Sequence, residues 1–288
     1  MVMTPLYFIT FCSPSGTTRH VARVIEHTLS TRNSPSPVCD LDSRPDHKAF
    51  LKLLQKAGAR ACLFIGSPVY RDLAVPPVMT FIDGLPNMAG TTAVPFVTWG
   101  GACSGIALWQ MGTALVAKGF QLVGAAKVIG IHSMMWQSED PVGFGHPDSE
   151  DDRLIETLTM DVQEQFHAEN PRFLYPDELI YQSVTHVSEM KKKVGQPWIV
   201  VPKTVDEEQC SECGVCESEC PAGAITLNPY PVFGIQCFDC FNCVRLCPEG
   251  AIDPAMPLED IEKHIRKRVA TFNEKPLTEL FVKKITPA

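Results

Sequence analysis

Leu6-Tyr7-Phe8-Ile9-Thr10-Phe11 is an apolar run that breaks at once into Cys12-Ser13-Pro14-Ser15-Gly16-Thr17-Thr18. The run reads as a buried strand, and the helical pattern from Thr17 to Leu29 makes the whole a unit of strand, loop and helix. Outward from it the same alternation repeats. Further strands are expected at Val38–Leu41, Ala61–Ile65, Val94–Thr98 and Leu122–Ile131, and helices at His47–Lys56, Pro76–Ile82, Ser104–Lys118 and Ser149–His167. Apolar strands separated by helical stretches predict an α/β fold around a five-stranded parallel sheet. In the last helix Leu154, Leu158, Val162 and Phe166 form an apolar stripe, with Glu150, Asp151 and Asp152 in the first turn, where the helix dipole favours negative charge. That helix closes a first domain expected over residues 1–170.

The chain has 288 residues, 45% hydrophobic and 20% charged, which suits one large and one small folded unit. No apolar stretch reaches the roughly 18 residues of a membrane helix. The opening segment has no basic flank and is not read as a signal peptide, so a cytoplasmic protein without membrane insertion is expected. The formal charge is -8, and Asp206–Asp253 holds nine acidic residues against the single Arg245. Nucleic acid is not expected as a partner, because no basic patch is present to neutralise phosphates. Prolines recur from Asn170 to Val205 without a lasting period, so residues 171–205 are expected to be an extended connector. A second domain follows at 206–256. Leu258–Ala270 then predicts a helix, with Ile261, Ile265 and Val269 on one face, heading a tail at 257–288.

Eight of the twelve cysteines form a repeat. Cys210, Cys213, Cys216 and Cys220, followed by Pro221, recur 27 residues later as Cys237, Cys240, Cys243 and Cys247, followed by Pro248. Gly223, Ala224 and Ile225 match Gly250, Ala251 and Ile252 at the same offset, so this is an internal duplication. Two-residue gaps let three thiolates of one tight turn reach three corners of a cubane, while a fourth ligand arrives from elsewhere. Zinc would need four ligands per site, and the count alone does not separate the metals. Paired Cys-Pro endings without an interleaved histidine favour iron-sulfur. The segment resembles the bacterial two-cluster ferredoxins over about 45 residues, with all eight ligands in place. That resemblance implies a small α+β domain with two 4Fe-4S clusters, one on Cys210, Cys213, Cys216 and Cys247, the other on Cys237, Cys240, Cys243 and Cys220.

The loop Ser13–Thr18 places hydroxyls and free backbone N–H groups at a helix N-terminus, a site that attracts phosphate. Ser and Thr there also serve as ordinary helix caps. The loop lacks the glycine pattern of dinucleotide folds and the Gly-Lys-Ser/Thr of nucleotide-hydrolysing loops. Two further loops follow strands: Gly66-Ser67-Pro68-Val69-Tyr70-Arg71-Asp72 and Trp99-Gly100-Gly101-Ala102-Cys103-Ser104-Gly105. Their glycines allow close backbone approach to a flat ring, and Tyr70 or Trp99 can stack on one. Together with Gly119–Ser133 these loops resemble the flavodoxin superfamily, and the domain order resembles anaerobic flavodoxin-ferredoxin fusion proteins. The resemblance implies a flavodoxin-like sheet and FMN. Ser13, Ser15, Gly16, Thr17 and Thr18 would meet the phosphate, and Ser67, Pro68, Val69, Tyr70, Thr98, Trp99, Gly100, Gly101, Ser104 and Gly105 the isoalloxazine.

The function implied is electron transfer between the clusters and FMN and on to a redox protein with a basic docking surface, since FMN trades electrons in pairs and each cluster singly. The alternative is an FMN-dependent reductase of a small molecule fed by its own ferredoxin domain. Cys103 reads as a small buried hydrophobe more readily than as a redox thiol, His132 as a structural histidine, and Lys191-Lys192-Lys193 as a solvated stretch. The flavin site is expected to be complete within the first domain. Anaerobically purified protein should contain about eight irons and eight labile sulfides. Cys220→Ala should damage the cluster of the second motif although it lies in the first, which cluster-resolved EPR checks; selective loss of the first cluster would refute the crossing.

Overall fold

In the computed structural model, which describes residues 5–284 apart from Pro35, Pro45 and Val200, the opening apolar run forms β1 (Leu6–Phe11). All of its residues after Leu6 are buried, as expected for a strand covered on both faces. Around it lie β2 (Val38–Asp40), β3 (Ala61–Tyr70), β4 (Leu73–Ala74), β5 (Thr92–Trp99), β6 (Gln121–Leu122) and β7 (Ala125–Ile129). The parallel strands stand in the order β2-β1-β3-β5-β7, with Ile9 between Val38 and Phe64. This is the doubly wound flavodoxin order, in which ligands bind beyond the carboxyl ends of the strands.

Helices α1 (Thr17–Thr31), α2 (Lys48–Ala57), α3 (Pro76–Asp83), α4 (Ala107–Ala117) and α5 (Ser149–His167) cover the sheet. On one face α1 and α5 bury Val21, Ile25, Leu29, Ile155, Leu158 and Val162. The opposite face takes Phe50 and Leu54 of α2, Phe81 of α3 and Met111 of α4. The buried stripe of α5 runs through Ile155 rather than Leu154, and Asp148 with Asp151 closes a capping box at its start.

Several elements differ from expectation. The third strand continues past Ile65 to Tyr70, so Ser67–Tyr70 are strand, and a two-residue turn at Arg71-Asp72 leads into β4. The expected strand 122–131 is broken around Gly124, where a Cβ would stand 3.0 Å from Leu158. The segment 171–205 is not extended throughout. It contains a 3-10 turn at Pro176–Leu179 and α6 (Val184–Lys191), and it buries Leu174, Leu179, Val187 and Met190. Its prolines interrupt the period without preventing it from packing on α4, where Gly112 admits Leu179 closely.

The cysteine-rich part contains β8 (Lys203–Val205), α7 (Val215–Ser218), β9 (Ile225–Leu227), β10 (Pro231–Phe233), α8 (Asn242–Arg245) and β11 (Ile252–Pro254). Its strands pair antiparallel as β9 with β10 and β8 with β11, and its core gathers Cys216, Cys220, Ile225, Cys243 and Ile252. Then α9 (Leu258–Phe272) leads to β12 (Glu279–Phe281), which adds antiparallel to β7 at the edge of the large sheet. Among the described residues no helix is long and apolar enough to cross a membrane.

This return to the sheet is anchored by charge. Lys127, in the middle of β7 with 1% of its side chain exposed, meets Glu274 at 2.8 Å and Glu279 at 3.3 Å. Burial pushes the Glu274 carboxyl up, but hydrogen bonds from Lys127 and Ser104 outweigh it and hold the group below its ordinary range. Its contribution to stability is therefore complete above the unfolded value and is lost as pH falls through the lower folded one. Lys127→Met should leave a buried carboxylate unpaired and cost about 3 to 5 kcal/mol in urea unfolding. The double change Lys127→Met with Glu274→Met should recover much of that loss.

Candidate functional site

Beyond the carboxyl ends of β1, β3, β5 and β7 lies a cavity of about 400 Å³, within the size range of small-molecule sites. Of the residues expected at a flavin, Ser15, Thr17, Pro68, Val69, Tyr70, Thr98, Trp99 and Gly100 line it. The others stand behind the wall. The Ser13 hydroxyl accepts the Arg19 N–H at 2.8 Å and caps α1, while the Ser13 N–H is taken by Asp42 at 2.9 Å. Thr18 is buried and shares a hydrogen bond with Thr98 at 2.7 Å. Ser67 accepts the Val75 N–H and donates to the Pro68 carbonyl, and the Ser104 hydroxyl is held by Tyr181 and Glu274.

Three of the expected glycines have backbone reasons of their own. Gly16 turns the loop at φ 93°. At Gly105, φ 63°, a Cβ would collide with the Asp72 carbonyl, and at Gly101 with Val142.

The remaining donors fit a phosphate. Among the described residues no acceptor engages the N–H groups of Ser15, Thr17 or Thr18 or the hydroxyls of Ser15 and Thr17. Together they form an anion cradle at the N-terminus of a long helix. The aromatic walls are fixed rather than free to stack at will. Tyr70 meets Phe238 edge to face at 5.8 Å and shares a hydrogen bond with Ser133 at 2.9 Å, whereas Trp99 donates its indole N–H to the Leu277 carbonyl at 2.8 Å.

The first domain does not complete this cavity. Phe238, Asp239 and Phe241 of the cysteine-rich part line it, as do Ile265 and Arg268 of α9. Arg245, the one base of the acidic segment, donates to the Pro14 carbonyl of the phosphate-type loop at 2.8 Å.

Sequence reasoning also missed a charged wall. Arg71 and Asp72 form the turn after β3 with φ of 52° and 70°, a left-handed pair usually given to Asn-Gly. Asp72 is 4% exposed and holds both Lys193 and Arg268, so Lys193 is part of the cavity wall and not merely solvated. The only hint in the sequence was the non-glycine pair in a hairpin turn.

Cys103 lines the cavity as well. Burial, then Asp72 and Glu274, push its thiol far up, which suits an inert group. His132 is also on the wall, and its Nδ1 accepts the Met134 N–H at 3.3 Å, leaving the proton of the neutral ring on Nε2.

The cysteines divide between two smaller cavities. One is lined by Cys210, Cys213, Cys216 and Cys247, the other by Cys220, Cys237, Cys240 and Cys243. The duplication is visible in detail: Ala224 N–H points to Cys220 Sγ and Ala251 N–H to Cys247 Sγ, both at 3.3 Å. Among the described residues the only three ligand atoms within 4.8 Å of one another belong to His146, Asp148 and Asp151, a set already occupied by the cap of α5. No three cysteine sulfurs among the described residues form such a set. Four cysteines at each small cavity match the four ligands that a 4Fe-4S cubane takes.

Burial, then Arg268, lowers the His132 pKa to about 4. The folded ring binds its proton less readily than the unfolded one, so the stability it contributes is complete above about pH 6.5 and is lost as pH falls toward 4. Imidazole NMR should show His132 neutral at pH 6; a midpoint near 6.5 would place the ring in water.

A family model described as a 4Fe-4S binding domain matches residues 203–226. No curated protein matches the chain. Among solved structures, a flavodoxin from the domain Archaea is similar at 17% identity and TM-score 0.44, covering 56% of this chain and 99% of its own. Rubredoxin oxygen:oxidoreductase from Desulfovibrio gigas is similar at 18% identity and TM-score 0.45, over 57% of this chain and 37% of that one. Flavodoxin 2 from Bacillus cereus is similar at 17% identity and TM-score 0.43, over 56% and 99%. The chain joins an α/β domain with the flavodoxin strand order to a 4Fe-4S binding domain.

Proposed function

We propose that this protein relays electrons between two 4Fe-4S clusters and FMN, and on to a redox partner. The observation that carries the reading is a shared wall: Phe238 and Phe241 line both the Cys220/Cys237/Cys240/Cys243 cavity and the large cavity at the strand ends. When bound, FMN supplies paired-electron chemistry and each cluster single-electron chemistry.

The chain's own residues supply position. Ser15 and Thr17 hold the phosphate, while Val69, Tyr70 and Trp99 bound the ring. Phe238 and Phe241, each 1% exposed, exclude water between the centres. The first cysteine cavity faces outward, with Glu207, Glu208, Glu212, Cys213 and Glu249 exposed, and suits docking of a basic partner. Twelve cysteines free of disulfides suit a reducing, cytoplasmic setting.

One observation favours the second reading, a flavin reductase of a small molecule. Arg71, Lys193, Arg268 and His132 all face the large cavity, offering polar groups to a substrate.

Apo-protein titrated with FMN should bind near one per chain by flavin fluorescence. Thr17→Val should weaken binding by about 1 to 3 kcal/mol. Thr18→Val should spare affinity and lower stability, because its hydroxyl faces Thr98 and not the cavity. Equal affinities for wild type and Thr17→Val would remove that hydroxyl from the site.

A further inference from the structure

The two cysteine cavities are unlike in charge. The first is lined by Glu212 and Glu249 with no cation in its wall, and its Cys213 is exposed. In the second the lining carries one charged side chain, Lys203. That side chain is 1% exposed, and its ammonium sits 3.8 Å from Cys237 Sγ, 3.0 Å from the Val201 carbonyl and 4.6 Å from the centre of the Phe241 ring. Asp239 pairs with it.

We infer that Lys203 raises the reduction potential of the cavity-side cluster above that of the outer one, giving the relay a direction: from the solvent-facing site through the second site to the flavin. The inference rests on the two-cluster reading and adds to it an order. Reduction places negative charge on a cluster and its ligand sulfurs. A donor bonded to one of those sulfurs stabilises the reduced form, and hydrogen bonds and charge are what set such potentials.

Asp239 opposes this in part, since its carboxylate is 3.9 Å from the same sulfur. The ionised carboxylate has no proton to donate to a thiolate, however, and it also accepts the Val201 N–H at 3.0 Å, while the Asp239 backbone N–H is itself a donor to Cys237. The N–H···S bond therefore decides the sign, in an environment where low dielectric strengthens it. At the first cavity the carboxylates disfavour added negative charge, though exposure screens them. Both effects order the sites the same way.

Each step moves one electron, oxidising the first site and reducing the second, with no bond made or broken. The electron enters from a one-electron donor protein whose potential lies below that of the outer site. It leaves toward the large cavity, because Phe238 and Phe241 belong to both walls.

The test is an anaerobic redox titration of the full-length holoprotein followed by EPR, with Cys213→Ala identifying the outer cluster. In the wild type the cluster untouched by Cys213→Ala should be the first to become reduced. Lys203→Met should lower the reduced-to-oxidised ratio of that cluster at least tenfold at a fixed potential, about 59 mV for a one-electron couple, and leave the other unmoved. Lys203→Arg should restore the order. If Lys203→Met does not retain eight irons, Lys203→Gln, which keeps a polar partner for Asp239, replaces it. Unchanged potentials in an eight-iron variant would overturn the inference, as would a shift confined to the outer cluster. Four irons in the wild type would instead overturn the two-cluster reading on which it stands.

Discussion

A lysine in the middle of a buried parallel strand needs a counter-charge, and among the described residues both carboxylates that meet it, Glu274 and Glu279, come from the far end of the chain. Glu274 answers Lys127 across 147 residues and also takes the Ser104 N–H at 2.9 Å and the Gln182 amide at 2.8 Å. One carboxylate thus ties together the loop after β5, the segment between the domains and the end of α9. With Glu274 fixed, α9 must lie where Ile265 and Arg268 face the large cavity, and the residues beyond it run alongside β7. The Tyr181 ring, 4.4 Å from the ammonium, closes the remaining side. Burying both charges is costly, and the number of hydrogen bonds on Glu274 is what offsets that cost.

The parallel sheet and the duplicated cysteines were legible because each rests on a local pattern: apolar runs of strand length, and a repeat in which every ligand keeps its offset. Features created by distant contacts were not. Glu279–Phe281 is too short to show a period, and it is a strand only because β7 offers an edge to it. Lys127 sits in an otherwise apolar run whose reading as strand was right, but nothing local says that Glu274 is its partner. The segment 171–205 looked extended because prolines break its pattern, whereas its order comes from Leu179 and Met190 packing on the first domain.

At the candidate site the sequence located the loops better than the roles within them. Ser15 and Thr17 reach the cavity, while Ser13 and Thr18 in the same loop turn away to cap the helix and to meet Thr98. A run of hydroxyls does not say which of them point outward, since the helix start alternates their directions. Phe238 and Phe241 lie between cysteine ligands in the sequence and carry no signal of their own there. Their position in the wall of both cavities depends on how the small domain docks, which no spacing within the repeat encodes.

That docking changes the physical account of how the two halves communicate. A flexible tether would raise the effective concentration of one centre near the other, typically to the millimolar range. Here the halves share a packed boundary: Phe238 against Tyr70, Arg245 on the Pro14 carbonyl, and Arg44 within 3.1 Å of where a Cβ at Gly223 would stand. Lifting the small domain away would expose part of Phe238 and Phe241, whose full burial is worth about 1.5 to 3 kcal/mol each. That burial, with the hydrogen bonds across the boundary, favours the closed arrangement. In the proposed relay, transfer between the halves proceeds at one fixed separation and does not wait on encounter. The same closure governs access to the cavity: on the proposed reading FMN enters through the open side of the cavity or during a rare opening of the boundary. On the proposed reading, retention of the cofactor and speed of internal transfer are two consequences of a single interface, and a substitution that loosens it, at Phe238 or Arg245, weakens both together.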